Sequence, residues 1–391
     1  MSSAETSKPP SRNRCPGCLS ESLGCELTLL RRPVILNYRF ATPEQARSVP
    51  RRDIRLRECR DCGLIYNEIF DSSAFAYDKD YENGQNFSPI FSEMCRQTAY
   101  DLAAKHELAG GAVLEVGCGK GAFLKMLCEQ YGCRGIGYDT SCEIEGTPNG
   151  GRVTFRQRYV TPEDVQERIN LVICRHVIEH VPDIHEFLRL LWRLADAGGG
   201  SAVYIETPAF EWIVEQKAFW DVFYEHCNYF TTKNLRHLVE LAGFEVLDQR
   251  LVFDGQYQAL ELRRRTDGKV PPPAHPEPLL DGFATAMAGA HRALVDSLVA
   301  AGALNGWAIW GAGAKGVTLV NSMEEMPPAF VIDSNPAKQG MHIPGTGTPV
   351  ISPRDLRNHQ VPVIFVANPN YLPEIRQTLA SMGLSPSLLS H

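Results

Sequence analysis

Within six positions of the stretch FWDVFYEHCNYF stand Tyr224, Glu225, His226 and Tyr229, side chains that could move a proton. An imidazole beside a carboxylate and phenols can be tuned as a general base near neutral pH; an aromatic cluster on a sheet edge has the same composition. Sulfur carries a second chemistry. The pairs Cys15/Cys18 and Cys59/Cys62 supply four thiolates, enough for tetrahedral Zn²⁺ in a closed and therefore structural site, with a redox pair or incidental cysteines as the alternatives. Glycine carries a third. LEVGCGKG, with Glu115, Gly117, Gly119 and Gly121, and AIWGAGAKG, with Gly313 and Lys315, are strand-to-helix loops, followed by Asp139 and Asp333 respectively. Glycines there let the backbone turn sharply and approach a ligand.

The elements that must hold these groups read as an α/β chain. Between residues 111 and 264, strand-like runs (AVLEVG, RGIGYD, NLVICR, SAVYIE, FEVLDQRLVF) alternate with helix-like ones (GAFLKMLCEQ, IHEFLRLLWRLA, TTKNLRHLVELAG), which predicts a doubly wound, mostly parallel sheet. The cysteine pairs frame a loop-and-strand unit, and SPIFSEMCRQTAYDLAAKHE is a helix leading out of it. DGKVPPPAHPEP cannot be helix or central strand, so a boundary falls there. A helical hairpin over about 278 to 305 then precedes a second α/β run. The division expected is a zinc-binding unit (1–87), a main α/β domain (88–265), a linker with helices (266–305) and a small α/β domain (306–391).

The 391 residues, 44% hydrophobic and 22% charged, suit two or three globular domains. A formal charge of −7 argues against a protein built around nucleic acid. No apolar run approaches a membrane span, and MSSAETSKPPSRNR lacks the apolar core of a secretory signal, so a cytoplasmic protein is expected. Most of the twelve cysteines, such as Cys118, Cys128, Cys133 and Cys174, sit in apolar segments as small hydrophobes.

E-x-G-x-G-x-G with an acid after the next strand resembles the cofactor motif of class I methyltransferases. The resemblance implies S-adenosylmethionine at Glu115, Gly117, Gly119 and Gly121, with Asp139 on the ribose; NAD or a purely structural turn is the rival reading. NLVICRHVIEHVPD matches the fourth-strand region of that superfamily. Arg175, His176 and His180 then lie at the carboxyl end of the sheet, where open α/β folds bind ligands.

Taken in order, the cysteine pairs, EVGCGKG, VIEHVPD, YEHCNYF and GAGAKG with DSNPAKQGMHIPGT look like the three-part sugar C-methyltransferase family. This resemblance implies base-assisted methylation of carbon beside the carbonyl of a nucleotide-linked keto-deoxysugar. His226 ranks first as base, with Glu225 its partner, Tyr224 close by, Tyr81 matching an expected tyrosine, and His180 serving proton traffic or oxyanion support. The chain departs from the family in DYENGQNFS, where Asn83 stands at another tyrosine position, in FDGQY and in VANPNYLPEI. The substrate can therefore differ from the antibiotic sugars.

The chain beyond Gly316 suffices for a half-Rossmann unit of three or four strands, too few for a whole dinucleotide site with its catalytic domain. The second loop is instead expected to hold an anionic group, such as a pyrophosphate, at a helix N-terminus, with Gly313, Lys315 and Lys338, and Tyr229 on the substrate side. A monomer or dimer acting on a small molecule is expected. Alternatives are methyl transfer to oxygen or nitrogen of another metabolite, or a zinc-knuckle RNA-modifying enzyme.

Overall fold

A computed structural model describes residues 12–78, 80–82 and 84–390. Most of the leader segment read above, Asn83 and His391 lie outside the described residues. The elements in chain order are β1 (Leu23–Pro33), α1 (Pro43–Arg47), β2 (Arg51–Cys59), β3 (Ile65–Asn67), α2 (Pro89–Lys105), β4 (Ala112–Val116), α3 (Ala122–Tyr131), β5 (Arg134–Tyr138), β6 (Val153–Arg156), β7 (Leu171–Arg175), α4 (Ile184–Ala197), β8 (Ala202–Pro208), α5 (Phe210–Glu215), β9 (Asn228–Tyr229), α6 (Thr232–Leu241), β10 (Phe244–Val252) and β11 (Tyr257–Arg264). They continue with α7 (Leu280–Ala300), β12 (Trp307–Trp310), α8 (Ala314–Ser322), β13 (Phe330–Ile332), β14 (Val350–Ile351), β15 (Val363–Val366), α9 (Leu372–Ser381) and β16 (Ser387–Leu389).

Among the described residues these elements form three sheets. The largest runs β10-β11-β8-β7-β4-β5-β6, parallel except that β11 lies antiparallel to both β8 and β10, which is the class I methyltransferase fold. Its inner strands AVLEV and LVICR are buried at every residue, as strands covered by helices on both faces must be. The second sheet, β14-β13-β12-β15-β16, is wholly parallel. Four of its strands lie beyond Gly316, within the three or four expected there; the short SLL segment supplies the last of them by pairing with Val363 to Phe365 at the edge. The third, β1-β2-β3-β9, is antiparallel, and its last strand comes from NY of the YEHCNY stretch. The expected boundary at residue 87 thus cuts across a sheet.

Local chemistry sets the helix starts. Ser88 accepts the Phe91 amide and is followed by Pro89; Asp183 accepts the Glu186 amide; Thr231 and Asn234 form a reciprocal capping box. The helical hairpin expected after the proline segment is a single helix, α7, because its apolar residues Phe283, Ala290, Leu294 and Leu298 continue one buried face without a break. The Glu58 carboxylate of β2 receives the amides of Leu279 and Leu280 at 3.0 and 3.1 Å, which ties the start of α7 to the cysteine-bearing unit.

One apolar cluster crosses all three units, joining Leu36 and Ile54 to Trp220 and Tyr224 and to Phe283, Ile309 and Phe365. Trp220, 1% exposed, packs edge-on against Phe365 with centroids 5.4 Å apart, and its Nε1 donates to the Ala367 carbonyl. Glu225 provides the polar tie. It is fully buried, its Oε1 accepts the Leu36 amide and its Oε2 accepts the Tyr81 hydroxyl, both at 2.5 Å. Burial pushes this carboxyl up to about 7, against the pull of those two donors.

Trp220→Ala should cost about 3–5 kcal/mol in a urea titration, with loss of a cooperative transition shared by the two α/β domains. Glu225 makes a pH prediction. A carboxyl raised in the folded state holds its proton more tightly there, so its contribution is complete below the unfolded value of 4.5 and is lost as pH rises through about 7. The stability of the protein relative to its Glu225→Gln variant should therefore fall by up to about 3 kcal/mol over that window.

Candidate functional site

The carboxyl ends of the parallel strands of the two α/β sheets line a common cleft of about 270 Å³. The main domain contributes His176, Glu179 and His180, which follow β7, together with Asp221 and His226. The second α/β domain contributes the loop after β12, from Gly311 through Gly313 to Gly316, with Asp333 and Lys338; the cysteine-bearing unit and its extension add Asn37 and Tyr81. Of the proton-transfer residues expected, His226, His180 and Tyr81 come together here.

The two histidines stand edge to face, with ring centroids 4.7 Å apart. Nδ1 of His180 lies 3.0 Å from the Glu225 carbonyl and 2.8 Å from the Tyr77 hydroxyl. A carbonyl can only accept, so Nδ1 carries the proton and Nε2 keeps its lone pair. His180 is thereby suited to taking a proton rather than to supporting an oxyanion. Burial lowers the pKa of both imidazoles, that of His226 well below its ordinary value with further repulsion from His180 and Lys315, so both are neutral bases at neutral pH. His176 behaves differently. Burial pulls it down, but the carboxylates of Glu179 and Glu206 outweigh that and its pKa goes up. It also adopts φ +53°, the left-handed region, which a non-glycine residue occupies only when its surroundings force it.

Three expected members of this group do not face the cleft. Tyr224 turns into the apolar core against Phe70 and Phe75, its hydroxyl accepting the Asp71 amide at 3.0 Å. Tyr229 is locked by pairing with Ile65 and by hydroxyl bonds to the Phe223 backbone. The carboxylate of Glu225 is spent on Leu36 and Tyr81, so it braces the site instead of lining it. Sequence spacing brought these residues near His226, but alternation of direction and the pull of the core sent them elsewhere.

The second glycine loop divides its work among its glycines. Gly311 has φ +109°, a Cβ on Gly313 would meet nothing within 4 Å, and one on Gly316 would sit 1.8 Å from the Gly311 carbonyl oxygen. Turn, ligand approach and close helix packing are thus separate demands. No side chain caps α8 at Gly313, which leaves its first amides turned to the cleft. Lys315 is already paired with Asp221 and lies 5.1 Å from the Trp212 ring, so an anion there would share the ammonium with that carboxylate. Lys338 is buried and donates to Asn37 Oδ1 and to the Ala312 carbonyl, and burial lowers its pKa.

The first glycine loop lies outside the cleft lining. Gly117, Gly119 and Gly121 all have positive φ; a Cβ on Gly117 would meet Val177 at 2.2 Å and one on Gly121 the Phe155 ring at 2.2 Å, whereas Gly119 faces open space. Asp139 accepts the Gly119 amide at 2.8 Å. Glu115 is 3% exposed with one carboxylate oxygen lacking a partner among the described residues, and burial pushes it up to about 7. An open approach at Gly119 beside an orphaned buried carboxylate fits a polar, cationic cofactor such as S-adenosylmethionine. Arg175, expected to face the cofactor, is instead buried against Glu206 at 2.8 Å and over the Phe123 ring.

At the far side of the small unit, the sulfurs of Cys15, Cys18, Cys59 and Cys62 lie within 4.8 Å of one another, with Cys15–Cys62 at 3.6 Å and Cys18–Cys59 at 3.5 Å. Tetrahedral ligands bonded at about 2.3 Å stand roughly 3.8 Å apart, so the four could hold Zn²⁺. Tyr77, Glu179 and Asp221 were missed. Glu179 sits beside His180 within the VIEH motif and was there to be read; Tyr77 and Asp221 had no local signal.

Residues 89–249 match the family described as methyltransferase domain, and residues 277–384 match the C-methyltransferase C-terminal domain. The C-methyltransferase NovU of Streptomyces niveus is 28% identical over 291 residues, 68% of this chain and 68% of that protein. A ubiquinone biosynthesis O-methyltransferase of Pseudomonas fluorescens (strain SBW25) is 32% identical over 100 residues, 24% of this chain; the match spans 43% of that relative. Magnesium protoporphyrin IX methyltransferase from Synechocystis PCC 6803, solved with bound SAH, matches 45% of this chain and 84% of its own at 16% identity and TM-score 0.34. With a class I sheet and both domain matches in order, the chain has the domain architecture of the C-methyltransferases and is an S-adenosylmethionine-dependent methyltransferase.

Proposed function

We propose that this enzyme methylates carbon next to the carbonyl of a nucleotide-activated keto-deoxysugar, with His226 as the base. The observation that carries this reading is a pair of buried, neutral imidazoles, His226 and His180, lining the same cleft as an uncapped helix N-terminus. The first suits a C–H acid, the second an anionic tail such as a pyrophosphate. S-adenosylmethionine, when held at Glu115, Gly117, Gly119, Gly121 and Asp139, supplies an electrophilic methyl group. His226 takes the proton from carbon, and His180 Nε2, its neighbour, is free to receive it in turn. His176, with its raised pKa, stays paired with Glu206 and Glu179 and holds those carboxylates in the wall of the cleft. The amides after Gly313 and the ammonium of Lys315 hold the phosphates, while Lys338 and Asn37 link that domain to Tyr81. The four cysteines hold a structural Zn²⁺ that folds the unit carrying Asn37.

Transfer to oxygen or nitrogen would need no carbon acid, so solvent deuterium separates the readings. Incubation of nucleotide keto-sugars in D₂O without methyl donor should exchange the hydrogen on the acceptor carbon, read by mass spectrometry. His226→Ala should slow that exchange about 100-fold or more. Absence of exchange with every substrate that becomes methylated would overturn base-assisted alkylation. Lys315→Ala should raise the KM for the nucleotide sugar roughly tenfold, with S-adenosylmethionine affinity unchanged in calorimetry. An equal loss for both ligands would contradict the split between the two loops.

A further inference from the structure

Glu179, His180 and His226 each offer one ligand atom, and the three atoms lie within 4.8 Å of one another. All three line the cleft, so one side of the trio is protein and the other is open. The protein side is braced. Glu179 Oε2 accepts the Thr207 hydroxyl at 2.9 Å in the buried wall, and His180 Nδ1 donates to the Glu225 carbonyl at 3.0 Å, which aims its Nε2 away from the backbone. Outer partners of this kind orient the imidazoles and carboxylates of metal sites. Two nitrogens and a carboxylate with open positions suit a borderline divalent cation, whereas Mg²⁺ and Ca²⁺ favour all-oxygen sets.

We propose that this trio is a second metal site, distinct from the four cysteines, that takes Zn²⁺ or Co²⁺ and whose occupancy arrests the enzyme. An imidazole whose lone pair is bound to a metal cannot accept a proton from carbon. Binding rests on the geometry of the three residues; inhibition rests in addition on the reading of His226 as base.

The test uses full-length protein with its cysteine site zinc-loaded, titrated with Co²⁺ in the absence of substrate. One Co²⁺ per chain should appear with visible d–d absorption and without the near-ultraviolet band of thiolate ligation. Its affinity should drop at least tenfold in His226→Ala and in Glu179→Gln, the latter keeping an acceptor for Thr207. Cobalt bound only through thiolates, or binding undiminished in both variants, overturns the site. Saturating Co²⁺ should slow deuterium exchange at the substrate carbon at least tenfold, with recovery when the ion is removed by a weak chelator. Bound cobalt that leaves exchange unchanged or speeds it overturns the inhibitory role. Exchange absent even from protein without Co²⁺ overturns the base reading and inhibition with it, while the cobalt spectrum still decides the site.

Discussion

The carboxylate of Glu225 is the constraint on which the site depends. A buried charge-capable group costs several kcal/mol unless its lone pairs are met, and here they are met by an amide of the small unit, Leu36, and a hydroxyl from its extension, Tyr81. The consequence is positional. His226 follows in sequence and turns to the cleft, while the Glu225 carbonyl takes Nδ1 of His180. One residue thereby closes a seam between two units and sets the tautomer of a neighbouring imidazole, without itself touching the cleft.

Two glycine loops in one chain answer to one stereochemistry and two uses. Each turns with positive φ after a buried strand, each has a glycine whose Cβ would strike its own packing, and each has a central glycine, Gly119 or Gly313, whose Cβ direction is open. Their acids also behave alike, since Asp139 and Asp333 accept amides of their own loops at 2.8 and 2.6 Å. Each loop also carries a lysine paired with an acid, Lys120 with Glu143 and Lys315 with Asp221; the difference is the buried Glu115 beside the first, with one carboxylate oxygen unpartnered among the described residues. Local sequence alone would make both loops dinucleotide sites; the buried carboxyl beside the first is what sets the two apart.

Much of this was legible from residue types. Uninterrupted apolar runs marked the parallel strands, capping residues marked helix starts, and paired C-x-x-C steps predicted a sulfur cluster that the fold assembles. What failed did so where long-range partners decide. The strand Tyr257–Arg264 was missed because its pairing with β8 and β10, not its own pattern, buries it. The SLL edge strand and the NY strand are too short to signal themselves. Tyr224 and Tyr229 looked catalytic because they neighbour a histidine in sequence, yet their rings fill core and sheet.

Sequence by itself determined the strand-and-helix alternation, the glycine turns, the cysteine spacing and the presence of His180 and His226, since each depends on residues within one or two turns of chain. Tertiary structure alone decided that those two histidines meet, that Glu225 braces rather than lines the cleft, that Lys315 pairs with Asp221, and that Glu179 completes a trio. The physical reason is that burial and charge pairing are properties of neighbours far apart in the chain, and only the packed core of Trp220, Phe283 and Phe365 brings those neighbours into contact.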